Sequence, residues 1–256
     1  MGGLGELPAP DDWTAWIAPA LARVREQIAG ACDAAGRDPA DVTLIAVSKG
    51  VEAEAVRAAY DLGQRDFGES RVQELVNKAE ALPNDIRWHF IGKLQSNKIR
   101  KVVGLVAMLH SLESASQLAE LSRLSRSNVE PDALRWVPLD CFVEVNIAEE
   151  PQKSGVPPSG LDEYLAAVLD CSAVRFRGLM TIGPQVDHPE KMREYFAKLR
   201  NLAEKVGDRS GSRIGKGSSA SSPICLSMGM SGDFDVAIQE GATHVRVGTA
   251  LFGGRH

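Results

Sequence analysis

The stretch LIAVSKG, residues 44–50, runs through five mostly apolar residues and then sets a lysine, Lys49, against Gly50. A run of this kind reads as a strand buried on both faces, which is the habit of parallel strands covered by helices. A flexible cation at the end of such a strand calls for a reason. Working outward, seven further β-rich runs follow: RDFGE (65–69), RWHFIG (87–92), LVAMLH (105–110), DCFVEVNI (140–147), VRFRGLMTI (174–182), ICLSMGM (224–230) and HVRVGTALFG (244–253). With TLIAVSK (43–49) they make about eight strands.

Between them lie helical stripes spaced three and four apart, such as Val72, Leu75, Val76, Ala79 and Leu82, or Met192, Tyr195, Phe196, Leu199, Leu202 and Val206. Strand and helix alternating about eight times predict a closed (β/α)8 TIM barrel, with an open doubly wound sheet as the alternative. The barrel is expected over about 42–254, within one domain spanning 1–256. An additional helix over about 12–35 precedes it, with Trp16, Ile17, Ala20, Leu21, Val24 and Ile28 on one face, covering the barrel floor or an outer groove. The segment 208–222, DRSGSRIGKGSSASS, reads as a mobile Gly/Ser-rich loop. Its GKG is not a phosphate-binding P-loop, because Gly217 stands where Ser or Thr must follow the lysine.

The 256 residues are 44% hydrophobic and 25% charged with net charge −5, the profile of an ordinary soluble protein. A mildly acidic chain is ill suited to non-specific nucleic-acid binding, which needs clustered positive charge. The start MGGLGELPAPDDW has neither a basic nor an apolar signal region, so the expected location is the cytoplasm, with no membrane segment. Cys32, Cys141, Cys171 and Cys225 form no CxxC pair and predict reduced thiols, with no metal site.

Functional groups of a parallel barrel gather at the carboxyl ends of its strands, where Lys49 falls. A lysine partly desolvated there can attack an aldehyde and form a Schiff base; the plainer reading is a strand-end lysine in solvent. Two small-residue turns follow the seventh and eighth strands. In SMGMSGD, Met228 and Gly229 lie between hydroxyls at Ser227 and Ser231, and Asp233 reads as the cap of the next helix. In RVGTALFG, Gly248 and Thr249 offer backbone amides and Arg246 a fixed positive charge. Together they suggest a phosphate cup, although each turn alone also fits simple tight packing. An amine beside a phosphate cup points to pyridoxal 5′-phosphate (PLP). Ser70 and Asn146 stand at other strand ends, and His89 lies inside an apolar strand, as suited to the core as to a ligand. Met180, Met228 and Met230 can pad a flat ring or pack the core. Lys153 can receive the aldehyde during exchange, or be a solvated loop lysine.

Taken in order, AVSKG, FGESRVQEL, WHFIGKLQSNK, EVNIAEEPQKSG, RGLMTIGP, LSMGMSGDFDVAI and GATHVRVGTALFG resemble the pyridoxal phosphate homeostasis proteins from about residue 20 to 254. The resemblance implies a barrel like the N-terminal domain of alanine racemase, with PLP bound covalently to Lys49. It further implies phosphate contacts from Ser227, Gly248 and Thr249, with Arg246 facing the pyridine nitrogen. Ser70 stands where the family usually has Asn, and Gly50 where it usually has Thr. The implied role is vitamin B6 homeostasis, with PLP-dependent apo-enzymes as recipients and a monomer or weak dimer expected.

A racemase or decarboxylase and a barrel aldolase are the competing readings. Racemase-type enzymes continue into a C-terminal β domain that supplies a second acid/base group, whereas this sequence stops at FGGRH. Binding without robust turnover is therefore the expectation.

Overall fold

Eight parallel strands close on themselves in chain order, β1 pairing with both β2 and β8. They are β1 Thr43–Val47, β2 Asp66–Glu69, β3 Arg87–Phe90, β4 Val106–Leu112, β5 Leu139–Glu144, β6 Val174–Met180, β7 Cys225–Met230 and β8 His244–Val247. The helices are α1 Trp13–Ala34, α2 Ala53–Asp61, α3 Val72–Ala81, α4 Ile99–Val102, α5 Ala115–Ser127, α6 Leu161–Asp170, α7 Arg193–Ser210, α8 Phe234–Gln239 and α9 Thr249–Phe252. This computed structural model describes residues 12–127, 137–210 and 224–253, without the side chains of 208–210. The expected (β/α)8 barrel is observed; the open sheet is not.

Three expectations need correction. The run 244–253 is not all strand: β8 ends at Val247, and residues 249–252 coil into α9, which buries Leu251 and Phe252. The Gly/Ser-rich segment begins as helix, since α7 continues to Ser210; residues 211–222 lie outside the described residues. Helix α1 starts where expected, the Asp12 carboxylate accepting the Thr14 and Ala15 amides at 2.8 and 3.1 Å. Its buried stripe, Ile17, Leu21, Val24 and Ile28, packs on α2, α8 and α9, so it fills an outer groove beside the β8–β1 seam and not the floor. Trp16 precedes that stripe by one position and is 46% exposed.

The layer between strands and helices is apolar, as the alternating pattern requires. The lumen is different. His89 of β3, His110 of β4, Phe142 of β5 and His244 of β8 bring their ring centroids within 4.6–6.4 Å, which strands so far apart in order can do only across the barrel axis. Ile45, Phe142 and Met180 are fully buried, but Ser227, His110 and Arg246 are buried too. Branched apolar residues ordinarily fill this space. Burial, followed by the neighbouring His89, pushes His244 down to about 4, so it is neutral near pH 7.

Glu144 closes β5 at 4% exposure. Burial and then Glu113 push it up to about 7 against the opposing Arg246 and Lys93. A carboxyl raised in the native state binds more protons there than in the unfolded chain between pH 4.5 and 7, so stability falls as pH rises through that window. Glu144→Gln removes this dependence. In urea titrations of the unloaded protein, the variant should gain on wild type by about 3 kcal/mol between pH 4.5 and 7.5. A constant difference would contradict the burial argument.

Strand packing leaves no clearance at Gly178, where a Cβ would lie 1.8 Å from the Cys225 carbonyl oxygen on β7. Gly178→Ala is expected to cost roughly 3 kcal/mol, because backbone cannot move aside as a side chain can. Gly30, inside α1 with open space around it, is the control: Gly30→Ala should stabilise by about 0.5–1 kcal/mol in the same denaturation assay.

Candidate functional site

Lys49 occupies the turn that leaves β1. The turn is held from outside the barrel. Ser48 donates its hydroxyl to Glu69 Oε1 at 2.8 Å, and Lys78 of α3 donates to that same oxygen and to the Ser48 carbonyl, both at 2.6 Å. Glu69 and Lys78 are buried, and Glu69 Oε2 has no partner among the described residues. Burial raises the Glu69 carboxyl even though Lys78 and Ser48 oppose it. One turn earlier on α3, Glu74 accepts the Gly50 amide. Gly50 has φ +63°, a left-handed conformation that suits glycine.

With Ser48 directed at α3, alternation leaves Lys49 on the parity of Ile45 and Val47. The partial desolvation expected of Lys49 is not observed. Burial stops at Ser48 and Lys49 is exposed, with no hydrogen bond or ion pair among the described residues. Register sets its neighbour: Ala46 pairs with Val247, and Gly248 lies so close to β1 that a Cβ would sit 3.2 Å from the Val47 carbonyl oxygen. The lysine turn and the turn after β8 are therefore adjacent.

At that second turn the amides of Gly248 and Ala250 converge on one atom, the Ser231 hydroxyl oxygen, at 3.1 and 3.4 Å. Thr249 is exposed beside them. The β7 end reaches this point through Gly229, whose φ is +91° and whose missing Cβ would lie 2.6 Å from Ala237 Cβ on α8. Asp233 is the N-cap residue of α8 as expected, but its carboxylate makes no capping bond to the helix; it accepts the Met230 amide at 2.6 Å and so closes the turn behind it.

Ser227 does not join this cluster. It is fully buried in the lumen, where its Oγ accepts from Arg246 Nη1 at 2.7 Å and lies 2.8 Å from His110 Nδ1. The pairing of β7 with β8 shifts register between Ser227 and Met230, so the two serines of SMGMS do not share a face. The second terminal nitrogen of Arg246 donates to the Thr181 carbonyl at 2.8 Å. Burial pulls this guanidinium down to about 10, with Glu144 and Asp233 opposing, and it remains charged near pH 7.

Other expected site residues are elsewhere engaged or only near. Asn146 closes its own loop, donating to the Glu150 carbonyl at 2.8 Å and accepting the Glu150 amide at 3.2 Å. Lys153 donates to the Gly183 carbonyl at 2.9 Å and pairs with Glu150. Ser70 lines an open cleft with Val72, Lys93, Gln95 and Lys98. Met180 is buried in the barrel and Met228 in the apolar layer outside it, whereas Met230 is 41% exposed at the rim. His110 and Glu144 were not singled out from sequence. Among the described residues no helix is long and apolar enough to cross a membrane.

An exposed amine after β1 and two amides gathered at a hydroxyl after β8 thus flank the β1–β8 seam, and β8 also carries a buried guanidinium. The alanine racemase N-terminal domain family matches residues 20–256. The pyridoxal phosphate homeostasis protein of Aquifex aeolicus is 42% identical over 237 residues, covering 92% of this chain and 96% of its own. PipY of Synechococcus elongatus, solved with PLP bound, superposes with a TM-score of 0.75 at 35% identity, over 93% of this chain and all of its own. A protein of Bifidobacterium adolescentis superposes at 0.83 with 32% identity, covering 97% and 98% of the two chains. The chain therefore belongs to the alanine racemase N-terminal domain family, and within it to the pyridoxal phosphate homeostasis proteins.

Proposed function

We propose that this protein binds pyridoxal 5′-phosphate for vitamin B6 homeostasis in the cytoplasm, holding it through a Schiff base on Lys49 without robust turnover. The observation that carries the reading is the adjacency of an exposed lysine to the Gly248 and Ala250 amides across the β1–β8 seam. Bonding of the Lys49 amine to the aldehyde carbon releases one water. The attacking form is the neutral amine, whose lone pair makes the new bond. When bound, the cofactor supplies an electrophilic carbon and an electron-withdrawing ring.

The chain's own residues divide the remaining work. Gly248, Ala250 and Ser231 offer donors for the phosphate, with the Thr249 hydroxyl beside them. Ser227, given a phosphate role by resemblance, is better read as the seat of Arg246. A permanently charged guanidinium facing the ring nitrogen disfavours protonation there, which weakens the ring as an electron sink and supports storage over catalysis. Met180 is fully buried in the barrel. Asn146 shapes the loop after β5, and Ser70 lies at the cleft edge. We further propose apo-enzymes as recipients and a monomer or weak dimer, with a single domain over 1–256.

Borohydride reduction of the PLP-loaded protein followed by peptide mapping tests the attachment. The adduct should fall on Lys49, and Lys49→Ala should lose both it and the visible absorption band. An adduct on another lysine, or none, would remove the reading. Ser231→Ala should retain Lys49 labelling while PLP affinity falls about tenfold, the worth of one hydrogen bond to a charged group. Equal affinity in an equilibrium titration would move the phosphate site elsewhere.

A further inference from the structure

The lumen holds an unbroken hydrogen-bond chain from one end of the barrel to the other. At the amino end, Asp66 opens β2 and accepts Arg87 Nε at 2.8 Å. His89 Nε2 lies 3.0 Å from Asp66 Oδ1, and His89 Nδ1 lies 2.9 Å from His110 Nε2. His110 Nδ1 meets the Ser227 hydroxyl, which in turn accepts from Arg246. The two histidines are at most 3% exposed, Ser227 fully buried and Arg246 4% exposed.

With His89 in its neutral form, proton counting gives this chain one direction. Burial tends to raise the Asp66 carboxyl, but hydrogen bonds from His89 and Arg87 outweigh it and hold Asp66 at about 2, so it only accepts. His89 must then carry its proton on Nε2, which leaves Nδ1 as an acceptor when the ring is neutral. His110 therefore donates from Nε2 and accepts on Nδ1. Ser227 gives its proton to His110, which turns its lone pairs toward Arg246. Burial, then His89, His244 and Arg246, lower the His110 pKa well below its ordinary value, consistent with a neutral ring. In the reverse order Ser227 would accept from both His110 and Arg246, with its own proton left over. Glu144, Asp233 and His244 are the other titratable groups around the guanidinium.

We propose that His110 and His89 are positioning residues for Arg246: their tautomers, fixed from the barrel floor by Asp66, orient the Ser227 hydroxyl and so fix the guanidinium beneath the cofactor. This rests on the reading that PLP lies against Arg246. A merely structural polar core would need satisfied partners but no particular proton order.

Histidine side-chain nitrogen NMR on the unloaded wild-type protein tests the order without cofactor. His89 and His110 should each carry a ring proton on Nε2, with His89 Nδ1 and His110 Nδ1 as acceptors. Mixed tautomers, or a proton on Nδ1 of either ring, would overturn the proposal. Asp66→Asn tests transmission from the far end of the chain. Asparagine has an acceptor oxygen on one side only; with that oxygen turned to Arg87 Nη2, the amide nitrogen faces His89, donates to it and reverses both tautomers, which the same nitrogen NMR reads directly. With borohydride labelling still on Lys49, this variant should bind PLP about tenfold more weakly, and its visible band should shift its pH midpoint by about one unit. Reversed tautomers with unchanged affinity and midpoint would overturn the proposal. His110→Phe, read by the same two measurements, should reproduce the loss. Absence of a Lys49 adduct in wild type would defeat the cofactor reading while leaving the NMR result to decide the proton order.

Discussion

Backbone pairing of β1 with β8, from Thr43↔His244 to Ala46↔Val247, is the constraint on which the site depends. A parallel strand places its carboxyl end beside that of its neighbour, so closing the cylinder brings the first turn of the chain against the last. Lys49 and Gly248 are 199 positions apart in sequence and meet for that reason alone. An open sheet with the same strands would leave β1 and β8 on different edges, and neither turn would have the other's chemistry. The apolar character of LIAV therefore has a functional result: it permits burial on both faces, which permits closure.

Two polar systems then act on either side of this seam. Outside, Glu69, Lys78 and Glu74 hold the Ser48 and Gly50 backbone. Inside, Ser227 and Thr181 hold Arg246. Buried charges are costly unless paired, and both systems are paired with groups from distant elements. The lysine between them has no such tie and stays accessible. Rigidity of the frame and freedom of the amine thus come from different residues, which can be altered separately.

Strand positions and the two glycine turns were legible because their signals are local: apolar runs, small residues, a lysine at a strand end. The separation of Ser227 from Ser231 was not legible, for a physical reason. Counting by twos assumes regular pleating, and the register shift between Ser227 and Met230 breaks it, so Ser231 and not Ser227 meets the Gly248 amide. His110 and Ser227 are 117 residues apart, and nothing local in LVAMLH marks that histidine as the partner of a serine on β7. His89 was ambiguous in sequence because Trp88 and Phe90 suit any buried strand; its role appears only with the neighbours across the axis. Trp16 and α9 show the smaller error of extending a pattern one residue or one element too far.

Met230 stands at the rim with 41% of its surface open, while Met180 and Met228 are sealed. A thioether in that position is the one of these three that peroxide reaches first, and its sulfoxide is polar and larger. Because the Met230 amide is tied to Asp233, the added oxygen alters the lining of the entrance without loosening the strand beneath it. Of these three thioethers, oxidation would therefore be registered first at the strand end, before the packed interior is touched.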